Sequence, residues 1–197
     1  MTAFLFAPGA GAPFASEWMQ SFAARLGELG RVQGLDYPYM RAGRKTPDRL
    51  PQLIAAHRAA FEALRAEQSG PIFLAGKSMG SRVGCHLANE LPSDAVAGLI
   101  CFGYPLVGQN GKVRDEVLRG LQRRVLFVQG TRDTLCPLEH LERVLSELRT
   151  PHELMVIEGG DHSLRLTKSA LAQQGRNQDQ VDAAILERVR QFVAENA

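Results

Sequence analysis

The chain has 197 residues, 45% of them hydrophobic and 22% charged, and its 23 basic and 21 acidic side chains leave a net charge of +2. That length predicts one domain able to bury about 70% of the surface its unfolded chain exposes, and the near-average composition excludes collagen-like, low-complexity and wholly disordered classes. Interspersed charge offers no basic face to nucleic acid, and Gly, Pro or charge interrupts every apolar run short of the ~20 residues of a membrane span.

Ala3–Ala7 reads as a strand ending at the loop Pro8-Gly9-Ala10-Gly11-Ala12-Pro13. No basic region precedes it and the proline cuts the apolar run short, so no secretory signal is expected. After Ser16, a candidate N-cap, Met19, Phe22, Ala23, Leu26 and Leu29 recur at helical spacing, with Gly30 as the stop. Residues 31–36 form a weaker strand, and Pro38 excludes Tyr37-Pro38-Tyr39-Met40 from a helix interior. A second helix follows Pro47-Asp48 and places Leu50, Leu53, Ile54, His57, Phe61 and Leu64 on one face.

Residues 71–75 read as a strand, 76–80 as a tight turn and 82–91 as a helix stopped by Pro92. Strands at 96–102 and 124–129 are separated by a polar, Gly-containing stretch. Pro137 opens a helix carrying Leu138, Leu141, Leu145 and Leu148. The last strand is 153–157; residues 166–179 are a loose stretch with a mobile loop at 173–178; Val181, Ile185, Val189 and Phe192 mark the closing helix. Alternating strands and helices predict a three-layer α/β/α sandwich around about six parallel strands, with chemistry in the loops at the strands' carboxyl ends.

Gly76-Lys77-Ser78-Met79-Gly80 matches G-x-S-x-G. The bare pattern is weak, but here it follows an apolar strand and opens a helix, as a strained elbow that exposes a serine requires. A serine needs a base, and the base an orienting acid. Asp133, in Gly130-Thr131-Arg132-Asp133, and His162, in Gly159-Gly160-Asp161-His162-Ser163, each fall just past a strand. The chain order Ser78, Asp133, His162 and these three phrases resemble the α/β-hydrolase superfamily over nearly the whole chain. They look like its small, lid-poor branch of uncharacterised bacterial hydrolases and testis-expressed hydrolase-like proteins, and are more distantly similar to dienelactone hydrolase. The resemblance implies a minimal form of the fold lacking its first two strands and a cap domain. It also implies a serine hydrolase with Ser78 as nucleophile, His162 as base and Asp133 as orienting acid, and the apolar, charge-poor rim of the pocket residues named below suits a small ester or thioester.

Many relatives carry His-Gly after the first strand, where this chain has Pro8-Gly9-Ala10-Gly11. An oxyanion hole uses backbone N–H groups, so Ala10 and Met79 are the expected donors, while Pro8 cannot donate. Gly11, Phe14, Trp18, Tyr37, Tyr39, Tyr104, Leu135 and Leu164 are the expected pocket residues, by their closeness to strand-end loops. Asp161 is expected to shape its loop, Asp36 to cap a turn, Lys77 to be surface or paired, and His57 and His86 to be structural, while His140 and His152 have no evident partner. Arg41-Ala42-Gly43-Arg44-Lys45 reads as a solvated loop. Cys85, Cys101 and Cys136 share no metal-ligand spacing, Cys85 and Cys101 read as buried hydrophobes, and a reducing cytoplasm is expected. No cofactor or metal is expected; the expected partner is a small-molecule acyl substrate, with no nucleic acid or membrane. Self-association is left open, with the final helix face and an exposed strand edge as candidate surfaces. The alternative is a hydrolase-fold binding or scaffold protein without turnover.

Overall fold

The computed structural model describes residues 1–108 and 111–197. Six strands, β1 (Ala3–Ala7), β2 (Arg31–Gly34), β3 (Ile72–Lys77), β4 (Gly98–Phe102), β5 (Val125–Gly130) and β6 (His152–Ile157), form a parallel sheet in the order β2-β1-β3-β4-β5-β6. The four inner strands are buried at every residue, which is why they read as unbroken apolar runs. The edge strands β2 and β6 are partly exposed.

The pleat divides the core in two. Leu5, Leu74, Leu99, Val125 and Phe127 pack with helices α3 (Leu50–Glu67), α4 (Met79–Glu90) and α6 (Leu138–Ser146). Phe4, Phe6, Phe73, Ile100, Phe102 and Leu126 pack with α1 (Glu17–Gly27) and α8 (Gln178–Asn196) on the opposite face. From β1 the chain reaches β2 by way of α1, then returns over the other face through α3 to β3. The carboxyl ends of β1 and β3 therefore flank the point where the strand order reverses, the place where ligands collect in open parallel sheets.

Three local readings are corrected. Pro38 does not exclude a helix: it opens a short one, α2 (Pro38–Arg41), where its missing N–H costs nothing. The elbow helix α4 starts at Met79, three residues earlier than the apolar spacing indicates. The stretch expected to be loose holds α7 (Lys168–Gln173), capped by Thr167 accepting from the Ala170 N–H at 3.2 Å, and α8 already begins at Gln178. Between β4 and β5 the described residues hold one short helix, α5 (Glu116–Arg119), and the bridge Val107–Val113 rather than an inserted domain. Among the described residues no helix is long and apolar enough to cross a membrane.

Candidate active site

β3 stays buried to Lys77 and α4 begins at Met79, so Ser78 alone turns the chain. It does so at φ 49° and ψ −116°, strain that costs about 1–3 kcal/mol and persists only where the surroundings enforce it. Here they do. A Cβ on Gly76 would stand 2.2 Å from the Ser81 nitrogen, and one on Gly80 2.3 Å from the Ala7 carbonyl oxygen. The Ser78 N–H donates to the Phe102 carbonyl at 2.9 Å, pinning the turn to β4. The Ser81 hydroxyl donates to the Ser78 carbonyl at 2.6 Å.

His162 Nε2 lies 2.8 Å from Ser78 Oγ, and its Nδ1 lies 2.7 Å from Asp133 Oδ2. An ionised carboxylate only accepts, so Nδ1 carries the proton and Nε2 is left to accept from the serine hydroxyl. Asp133 is only 3% exposed. Its Oδ1 accepts from the Leu135 N–H at 2.9 Å, and Oδ2 also accepts from Gln129 Nε2 at 2.5 Å. Burial pushes this carboxyl up, but the hydrogen bond and charge of His162, with the Leu135 and Gln129 donors, outweigh it and hold it below the ordinary value. Gln129 is itself fixed, its Oε1 accepting from the Tyr104 N–H at 3.0 Å.

The loop carrying His162 is shaped by Asp161, whose Oδ1 accepts from the Ser163 N–H at 2.7 Å and the Arg165 N–H at 3.0 Å. Two side chains from distant elements take up its carbonyls. Trp18 Nε1 donates to Ser163 O at 2.9 Å, and Lys77 Nζ donates to His162 O. Lys77 is 7% exposed and its ammonium sits 5.5 Å from the Trp18 ring centroid. Burial draws the ammonium down to about 8, against the opposing pull of Asp133 and Asp161.

A cleft of about 230 Å³ opens on Ser78 and His162. The expected Gly11 and Trp18 line it, together with Ala10, Ser16, Met19 and Ser163. Ala10 lies in the wall, and its loop is braced from outside by the Tyr39 hydroxyl, which donates to the Ala10 carbonyl at 2.9 Å. Met79 is the first residue of α4, so its N–H has no partner within the helix.

The other expected pocket residues lie elsewhere. Tyr37 and Tyr104 are fully buried in the core, Tyr37 against His57 and Tyr104 edge-on to Phe127. Leu164 is also fully buried, among the α1–α8 side of the core, with a φ of 62°. Tyr39 braces the loop instead of lining the cleft, and Leu135 contributes its N–H to Asp133. Phe14 packs edge-on against Phe6 and donates its N–H to Asp36 Oδ1 at 2.7 Å. Asp36 thus ties down the first loop rather than capping the turn that follows it. Closeness to a strand end does not fix which way a side chain faces, and that is the reason for these misplacements.

Lys77 and Gln129 are functional candidates that sequence reasoning missed. Lys77, expected to be surface or paired, is buried and paired with the His162 carbonyl, and nothing local marks Gln129 near the end of β5 as a partner of Asp133. The remaining histidines stand apart from the cleft: His57 is fully buried with Nδ1 3.2 Å from the Tyr37 hydroxyl, and His152 Nδ1 meets Thr150 O at 3.0 Å.

The family model for the alpha/beta hydrolase domain matches residues 1–194. Among solved structures, the chain is similar to an alpha-beta serine hydrolase homologue from Coxiella burnetii, at 20% identity and a TM-score of 0.71 over 100% of this chain and 85% of that one. It is similar to dienelactone hydrolase from Anabaena variabilis, at 19% identity and a TM-score of 0.73, covering 100% and 87% of the two chains. A serine hydrolase without a lid from Xanthomonas campestris gives 20% identity and a TM-score of 0.65 over 83% and 73%. At such identities the likeness speaks for the fold.

Proposed function

The chain belongs to the alpha/beta hydrolase family, and from that premise we propose that it is a serine hydrolase that cleaves a small ester or thioester through an acyl-enzyme. The observation that carries the reading is the unbroken chain Ser78 Oγ, His162 Nε2, His162 Nδ1, Asp133 Oδ2, with contacts of 2.8 and 2.7 Å. In this reading Ser78 Oγ attacks the acyl carbon while His162 takes its proton. The carbonyl electron pair moves onto oxygen, where the N–H groups of Met79 and Ala10 receive it.

Collapse of that intermediate expels the alcohol or thiol, which leaves with the proton His162 holds. Water then repeats the cycle on the acyl-serine: His162 removes its proton, and the second collapse returns that proton to Ser78 and frees the acid. Asp133 stays ionised throughout and holds the imidazole tautomer. The small cleft and its apolar walls at Ala10, Trp18 and Met19 support a compact acyl group.

Fluorophosphonate labelling of the pure protein tests this. Wild type is expected to label at one site, and Ser78→Ala and His162→Ala are expected to abolish the reaction. A folded wild type that does not label would instead leave the hydrolase-fold binding protein as the reading.

A further inference from the structure

The His162 loop is held from below by a buried lysine for which the proposed chemistry has no use. Lys77 extends from the last residue of β3, beside the nucleophile, and ends against the His162 carbonyl oxygen. The fit is close. Gly103, at the end of β4 with φ +57°, would place a Cβ 2.5 Å from His162 O and 3.1 Å from Lys77 Nζ. Carbonyl and ammonium can meet there only because this residue has no side chain.

The groups that face the ammonium bear on His162 or on the loop that carries it. Asp133 comes from the end of β5, Asp161 and His162 from the loop after β6, and the Trp18 ring from α1. Methionine would fill a similar volume without the expense of burying a charge, which is large unless charge and donors are put to use. A charge also acts on the imidazole. Asp133 attracts positive charge to the imidazole through its 2.7 Å contact, and an imidazolium cannot accept the serine proton. A cation seated beside the pair opposes that attraction.

We propose that Lys77 is a positioning residue for the Ser78–His162 pair: its ammonium anchors the His162 main chain through the carbonyl, and its charge opposes that of Asp133 at the imidazole. The inference rests on the serine-hydrolase reading.

The test is the rate of fluorophosphonate labelling across pH 5–9 for wild type, Lys77→Met and Lys77→Arg. Lys77→Met is expected to lower the plateau rate about tenfold and to move the acid limb about one pH unit upward. Lys77→Arg keeps the charge and is expected to hold the acid limb near the wild-type position while recovering part of the rate. A plateau that falls with the limb unmoved marks plain packing and overturns the proposal. If Lys77→Met does not fold, Lys77→Gln, which retains an N–H donor without the charge, carries the same comparison. Absence of labelling in folded wild type at every pH would remove the hydrolase reading and this inference with it, whereas labelling with unshifted profiles removes this inference alone.

Discussion

The two halves of the candidate site are built by different means. The serine half is a matter of backbone: Ser78 alone turns a strand into a helix, two glycines let main chains touch, and the Ser78 N–H is tied to β4. The histidine half is a matter of side chains. Asp161 shapes the loop, while Trp18, Lys77 and Asp133 reach it from α1, β3 and the end of β5. The first arrangement tolerates almost no substitution at its glycines but depends little on distant side chains. The second can be weakened one contact at a time.

The harshest way to break that contrast is Gly80→Ala. A Cβ there meets the Ala7 carbonyl at 2.3 Å, so β1 and α4 must part. We expect a loss of more than ~3 kcal/mol in unfolding free energy and no labelling, read by urea denaturation and fluorophosphonate. A variant of wild-type stability would show that the elbow yields as readily as the loop.

Asp133→Asn leaves the fold in place and attacks only the histidine half. An amide presenting its N–H to Nδ1 favours the wrong tautomer, and a fall of about 10³–10⁴-fold in labelling rate is expected, far beyond what the accompanying loss of thermal stability explains.

Acid should act on the serine half first. His57 packs beneath α4, its ring 3.6 Å from where a Gly84 Cβ would be, and burial pushes it down to about 4. The unfolded chain takes up this proton near pH 6.5 and the folded one only near 4, so stability falls as pH drops through that window, by about 3 kcal/mol at its lower end. Asp133 works at lower pH: its carboxyl is held below its ordinary value, so its contribution persists above the unfolded carboxylate range and disappears only as pH falls through the folded value. Urea midpoints measured between pH 7 and 4 for wild type and His57→Phe should diverge as wild type weakens and the variant does not. Parallel curves would sink the assignment.

The smallest effect is expected of Trp18→Phe, which keeps a ring beneath Lys77 but removes the 2.9 Å donor to Ser163 O. One lost hydrogen bond is worth about 1 kcal/mol, so labelling should slow by roughly fivefold, with the acid limb in place. A hundredfold loss would mean the loop is not held by separable contacts.

The same contrast governs how much of the molecule can be read from its sequence. β1, β3, β4 and β5 are legible because strands buried on both faces must be apolar throughout. The elbow is legible because all its parts are contiguous. His162 and Asp133 could be picked out because each follows a strand, although nothing local requires them to meet. The supports are not legible. Lys77 and Trp18 meet the loop across 85 and 145 residues of chain, and Gln129 closes an apolar strand without any marker of its partner. Tyr37, Tyr104 and Leu164 were expected near the cleft because they follow strands, and they turn into the core instead. α7 was hidden because its six residues include none that is buried, leaving no apolar stripe to recognise.

The 84-residue separation of Ser78 and His162 has a consequence for the order in which the molecule is made. Closing so long a loop is entropically costly, and contacts of this kind are among the last a chain forms. During synthesis the elbow is made before β6, and because a domain folds as a unit its strained turn waits for the rest of the sheet. A nascent chain would then present the serine with no base beside it, chemically inert. Reactivity would switch on with the last strand, so the phosphonate reaction, sampled during refolding, would time completion of the sheet.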